Sequence, residues 1–148
     1  VVDKGITDIS NMGAAMAPAA IDTLSRYFSE SGESPQDFDA IVTGDLGYEG
    51  SSILVELLGK SGFDISKNHY DCGLLIYDRE KQDMHAGGSG CGCSATVLAA
   101  HFLEKLKNLD MKRILFMATG AMMSPSSLLQ GLAIPGIGHL LKIEMATK

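Results

Sequence analysis

Asp83-Met-His-Ala-Gly-Gly-Ser-Gly-Cys-Gly-Cys-Ser-Ala-Thr96 concentrates the residue types best suited to chemistry in this chain. His85 enters a turn carrying Gly87, Gly88, Ser89, Gly90 and Gly92, and the turn opens a helix of small residues. Glycine lets a backbone approach another backbone, or a ligand, more closely than any side chain would allow. A helix start offers unpaired N–H groups and a partial positive charge, so the pattern describes an anion pocket with His85 at its edge. Each part also has a purely structural reading. His85 can cap the turn or sit satisfied in the core, and the glycines can serve close helix packing.

Other groups carry weaker signals. Asp45 and Glu49 read as an acid–base pair or as a solvated loop after a strand. Cys91 and Cys93 lack the paired spacing of a zinc site, so they read as buried structural thiols and no metal is expected. His69, His101 and His139 have no partners at helical spacing and read as structural. Met122 and Met123, beside Ser124-Pro-Ser-Ser127, suit either core filling or the face of a flat aromatic ligand.

Composition narrows the class of protein. The chain has 148 residues, 45% of them hydrophobic and 20% charged, which is a single globular domain rather than a disordered segment. Lys+Arg 12 against Asp+Glu 18 gives a net charge of −6 with no basic cluster, so no nucleic-acid partner is expected. Three cysteines, an odd number, point to reduced thiols in a cytosolic compartment. No apolar run approaches the roughly 20 residues of a membrane span. Val1-Val-Asp-Lys-Gly5 is neither a translation start nor a basic leader, so the chain reads as a piece of something longer.

The elements that must position these residues follow from periodicity. Met12, Ala15, Met16, Ala19, Ala20, Leu24 and Phe28 predict a helix over 11–29 capped by Asn11 or Ser10, with Pro18 either kinking it or marking its first turn. Phe38–Thr43 reads as a short buried strand, and Gly50–Leu58 as a second helix with Gly59 near its end. Cys72–Tyr77 reads as a strand closed by the turn Asp78–Gln82. The glycine-rich motif then opens a helix running from about Gly90 to Leu109. Arg113–Ala118 reads as a strand, Gly120–Leu132 as a turn or bulge, and His139–Met145 as a final strand near an edge. Alternating helices and strands predict a layered α/β fold, and two final strands without a helix between them predict a mixed sheet.

Several of these segments together resemble the C-terminal half of a thiolase-fold protein. Ser34-Pro-Gln-Asp-Phe-Asp-Ala-Ile-Val42 is similar to a helix-to-strand passage of the ketoacyl synthase III branch. His85-Ala-Gly-Gly-Ser-Gly90 is similar to the thiolase histidine–glycine motif. Arg113–Ala121 followed by Gly138–Glu144 is similar to the closing hairpin. More narrowly, Met12-Gly-Ala-Ala-Met-Ala-Pro18, Thr43-Gly-Asp-Leu-Gly-Tyr-Glu-Gly50 and His85–Cys93 resemble the stage V sporulation protein AD family of spore-forming bacteria. The resemblance implies an α/β, thiolase-like half-fold with a mixed β-sheet and layered helices, residues 1–148 being the C-terminal domain of a two-half protein.

The resemblance also carries expectations about function. Thiolase-fold enzymes pair a nucleophilic cysteine of the N-terminal half with His and Asn, or a second His, of the C-terminal half. His85 stands at one such position, but the other reads Thr43-Gly44-Asp45, and the place of a second cysteine reads Ala118-Thr119-Gly120. The implied protein is therefore non-catalytic. Its ligand site is expected at His85, Gly87, Gly88, Ser89, Gly90, Gly44, Asp45, Thr119 and Gly120. The implied ligand is a small aromatic dicarboxylate, dipicolinic acid (pyridine-2,6-dicarboxylate), bound during its uptake into the developing spore. No cofactor is expected, and whether calcium accompanies the ligand stays open. The alternatives are an acyltransferase with its nucleophile on the N-terminal half, and a scaffold in a membrane-associated transport complex. Membrane-embedded sporulation transport proteins are the implied partners, with the protein peripheral to the spore inner membrane on its cytoplasmic face. The small-residue face of the 90–109 helix is expected to pack on a counterpart backbone, which for this chain alone implies a homodimer.

Overall fold

The computed structural model describes residues 1–88 and 90–146. Asn11 accepts a hydrogen bond from the Ala14 N–H and starts α1 (Met12–Ser31), which ends at Gly32 in a left-handed conformation, φ 72°. Pro18 is the seventh residue of α1 and lies within it, so it does not mark the first turn. A 3-10 turn (Pro35–Asp37) leads into β1 (Ala40–Thr43), buried along its whole length. Then follow α2 (Gly47–Lys60), β2 (His69–Asp71), the short α3 (Cys72–Leu75) and α4 (Cys93–Val97). A π-helical turn (Leu98–Phe102) joins α4 to α5 (Leu103–Lys107), and β3 (Arg113–Ala121), α6 (Pro125–Leu129) and β4 (Gly136–Glu144) complete the order.

The four strands form one mixed sheet in the order β2-β1-β3-β4. β1 pairs in parallel with β2 and with β3, and β4 runs antiparallel to β3 at the edge, so the sheet is mixed as expected even though α6 lies between the last two strands, where no helix was expected. Side chains alternate between two cores, as a pleated strand requires. Ile41, Leu115 and Met117 face α1 and α2, packing with Leu24, Phe28, Leu54 and Leu58. Ala40, Val42, Ile114 and Phe116 face the other side and pack with Val97, Phe102 and Leu106 of the 93–107 helical run. The fold is α/β, with helices layered on both faces of a mixed sheet.

Three elements differ from the sequence reading. The strand expected over Cys72–Tyr77 is instead β2 at 69–71 followed by a helical turn. Among the described strands β2 pairs only with β1, and β1 ends at Thr43, so the backbone beyond Asp71 has no ladder to join. Leu75, Ile76 and Tyr77 are left exposed. Gly120–Leu132 is not one turn. Gly120 and Ala121 extend β3, α6 follows with Ser124 and Ser127 forming a capping box, and β4 begins at Gly136. The helix opened by the glycine-rich motif starts at Cys93 rather than Gly90, and the small residues Gly92, Ala95 and Ala99 are exposed rather than set against another backbone.

Candidate functional site

The end of β1 is held by a residue the sequence reading passed over. Asp71, 2% exposed, ends β2, and its carboxylate accepts from the Thr43 hydroxyl at 2.6 Å, the Leu46 N–H at 2.7 Å and the Gly47 N–H at 3.0 Å. The last two are orphan donors at the start of α2, whose own N-cap residue, Leu46, offers no side-chain acceptor. A carboxylate there also meets the positive end of the helix. Burial nonetheless raises the Asp71 carboxyl above its ordinary value, outweighing the hydrogen bonds that lower it. Because Asp71 caps α2 from the sheet, the helix begins at Gly47, three residues before the expected Gly50.

This capped loop forms one wall of a cleft of about 660 Å³. The loop contributes Asp45, Leu46 and Gly47, with Glu49 just beyond. The first turn of α1 contributes Asn11, Met12 and Gly13, and the loop before α4 contributes Arg79, His85, Ala86 and Gly87. The walls are locked together by backbone contacts. Tyr48 N–H donates to the Ala86 carbonyl at 2.7 Å, and Gly88 N–H donates to the Gly73 carbonyl at 2.7 Å. Gly47 has φ +64°, and a Cβ there would sit 2.8 Å from the Ala86 oxygen. The Arg79 guanidinium lies 4.2 Å from the centre of the Tyr48 ring, and its Nε donates to the His85 carbonyl at 2.8 Å.

The residues expected at the site separate into groups. Asp45, His85 and Gly87 line the cleft. His85 has φ 40°, its side chain is exposed, and Nε2 stands 3.4 Å from Asp83 Oδ1. Gly44 and Thr119 meet behind the wall: a Cβ on Gly44 would lie 3.0 Å from the Thr119 nitrogen, and the Asp45 N–H donates to Thr119 Oγ1 at 3.0 Å. Gly88 is buried beside Ile76 and the Tyr77 ring, which is the packing reading of that glycine. Gly90 and Gly120 have no described neighbour within 4 Å of a Cβ position, and neither lines the cleft. Ser89 lies outside the described residues. The cleft is therefore not the helix start that the glycine pattern suggested. It lies on the His85 side of the motif and uses Arg79 and the first turn of α1. Arg79 is flagged in sequence only as part of a polar turn.

The thiols and His69 are set by burial. The Cys72 thiol is pushed up to about 12 and that of Cys93 to about 11, chiefly by desolvation and further by nearby carboxylates, so both stay protonated at neutral pH. Cys93 is buried and Cys91 exposed, and all three cysteines are free. No group of three His, Cys, Asp or Glu side chains is placed to hold a metal among the described residues. Burial lowers His69 to about 4. The unfolded chain therefore binds a proton on this histidine below pH about 6.5, while the folded chain resists it until about 4. The His69 contribution is complete above 6.5 and is lost as pH falls towards 4. At about 1.36 kcal/mol per pKa unit it amounts to up to about 3 kcal/mol. Urea unfolding at pH 7 and pH 4.5 should show His69→Gln losing less stability over that interval than the wild type. Equal losses would rule out the assignment.

The family model for stage V sporulation protein AD matches residues 1–144. The chain belongs to the stage V sporulation protein AD family. It is 44% identical over 146 residues to stage V sporulation protein AD of Bacillus subtilis (strain 168), a match covering 99% of this chain and 43% of that protein. The chain thus spans less than half the length of the curated relative it matches. Membership connects it with sporulation. No described helix is long and apolar enough to cross a membrane.

Proposed function

We propose that this chain is part of a non-catalytic binding protein for dipicolinic acid, supporting its uptake into the developing spore. The observation that carries the reading is the end of β1. Where the thiolase pattern calls for His or Asn there is Gly44-Asp45, whose carboxylate would repel a developing oxyanion, and the neighbouring Cys72 and Cys93 are protonated, so no thiolate nucleophile stands there. The cleft supports a flat anionic ligand at its Arg79 end. A guanidinium matches a carboxylate in a two-pronged geometry, and the Tyr48 ring beneath it holds the Arg79 guanidinium in place. Asp8, Asp45 and Glu49 make the rest of the lining acidic. We therefore place any accompanying calcium on the dicarboxylate itself, where it offsets the ligand's charge against this lining. We place the protein beside membrane-embedded transport partners at the cytoplasmic face of the spore inner membrane.

Calorimetry of the full-length protein with dipicolinate, with and without calcium, tests this reading. Dipicolinate is expected to bind, and Arg79→Gln to weaken it about 10- to 100-fold, the effect of losing a charge-assisted pair worth about 1.5–3 kcal/mol. An acyl-CoA run in parallel should neither bind comparably nor turn over. Measurable acyl transfer, or no heat with dipicolinate, would overturn the reading.

The exposed Ala95, Ala99 and Leu103 on the 93–107 run form an unpartnered apolar strip. We propose that this chain alone dimerises through it, since one patch can satisfy its own copy under twofold symmetry. Sedimentation should give a dimer at micromolar concentration for the wild type and a monomer for Ala99→Glu. A monomeric wild type would exclude the dimer.

A further inference from the structure

His69, Thr43 and Asp71 are linked at the sheet edge beneath the cleft wall, yet none of them lines the cleft. Thr43 is fully buried, and its Oγ1 lies 2.6 Å from Asp71 Oδ2, 3.0 Å from His69 Nε2 and 3.4 Å from the Tyr70 carbonyl. A hydroxyl has one proton to give. The short contact to a carboxylate takes it, because charge-assisted bonds are the strong ones. Thr43 must then accept from His69, which requires the proton on Nε2 of the ring. The chain of donors is therefore His69 Nε2–H to Thr43 Oγ1, then Thr43 O–H to Asp71 Oδ2. Asp71 in turn receives the Leu46 and Gly47 amides of the cleft wall. If Asp71 takes up a proton and donates to Thr43, every bond in the line reverses and His69 must carry its proton on Nδ1 instead.

We propose that His69 is a positioning residue, acting through the Thr43 hydroxyl and the Asp71 carboxylate on the backbone that forms the cleft wall at Leu46 and Gly47. The charged and titratable neighbours are few. Asp45 acts on Asp71, and Cys72 and Cys93 feel both carboxylates. Burial holds the His69 ring neutral at physiological pH, as a donor of fixed tautomer must be. The relay acts on the cleft wall whatever ligand the cleft takes.

Nitrogen-15 NMR of the chain reads each link without any ligand. In the wild type the His69 ring is expected as the Nε2–H tautomer at neutral pH. As Asp71 takes up a proton on acidification, the Leu46 and Gly47 amides and the His69 tautomer should change with one shared midpoint. Thr43→Val keeps the shape and removes the hydroxyl, so the amides should no longer follow the ring, whereas Thr43→Ser should restore the coupling. A wild-type ring protonated on Nδ1 at neutral pH would overturn the proposal, as would amide shifts that follow the ring unchanged in Thr43→Val. Because dipicolinate appears in none of these measurements, failure of the ligand reading and failure of the relay are told apart.

Discussion

Asp71→Ala is expected to lower the stability of this chain by about 2–5 kcal/mol, because two buried amides lose their acceptor at about 1–3 kcal/mol each. The carboxylate is the shared acceptor for the Thr43 hydroxyl and for two amides at the start of α2. Alanine leaves the two amides unpaired in a place where water does not reach Asp71 itself, 2% exposed, whereas the Thr43 hydroxyl can turn to the Tyr70 carbonyl or to His69 Nε2. Some of this is offset, because ionised Asp71 is itself disfavoured by burial. The offset has a definite sign with pH. A carboxyl raised in the folded state gives its full contribution below the ordinary value of 3.8, and that contribution is lost as pH rises through the raised one. Asp71→Asn keeps one acceptor oxygen and should cost less than alanine while removing this dependence. Urea unfolding at pH 7 measures both variants, and a loss below about 1 kcal/mol for Asp71→Ala would mean that the α2 start finds its acceptors elsewhere.

Gly50→Val is expected to cost about 2–3 kcal/mol, for a reason of contact rather than charge. α1 and α2 cross at Gly13 and Gly50, and a Cβ on Gly50 would lie 2.8 Å from the Gly13 carbonyl oxygen and 2.9 Å from its Cα. Both are backbone atoms of a helix and cannot rotate away, so the helices must separate, and overpacking of this kind costs about 1–3 kcal/mol or more. The gain from replacing glycine within a helix, at most about 1 kcal/mol, does not offset that. Gly59 in the same helix is the internal control, because no described atom lies within 4 Å of a Cβ there. Gly59→Ala should be neutral or stabilising by up to about 1 kcal/mol. Thermal or urea unfolding that ranks the two variants equally would dismiss the crossing as the cause. Gly13 also lines the cleft, so Gly50→Val should reshape the site it borders.

The sequence by itself determined the α/β class, the start of α1 at Asn11, the buried β1 and the mixed character of the sheet. These rest on local signals: helical spacing of apolar residues, a capping asparagine, and short apolar runs between turns. It also carried the family, through motifs in the right order. Which glycines serve packing and which line a cleft was decided only in three dimensions. Gly87 and Gly88 owe their identity to the Gly73 carbonyl and the Tyr77 ring, contacts made across the fold, while Gly90 in the same motif meets no described neighbour. The end of β2 at Asp71 was equally out of reach, because a strand stops where its neighbour stops, and β1 has only four residues. The same holds for the cluster beneath the cleft wall. Asp71, Thr43 and His69 read separately as an acidic residue, a strand end and a lone histidine. Parallel pairing of β1 with β2 sets 43 beside 71, and a sequence spacing of 28 residues carries no sign of that register.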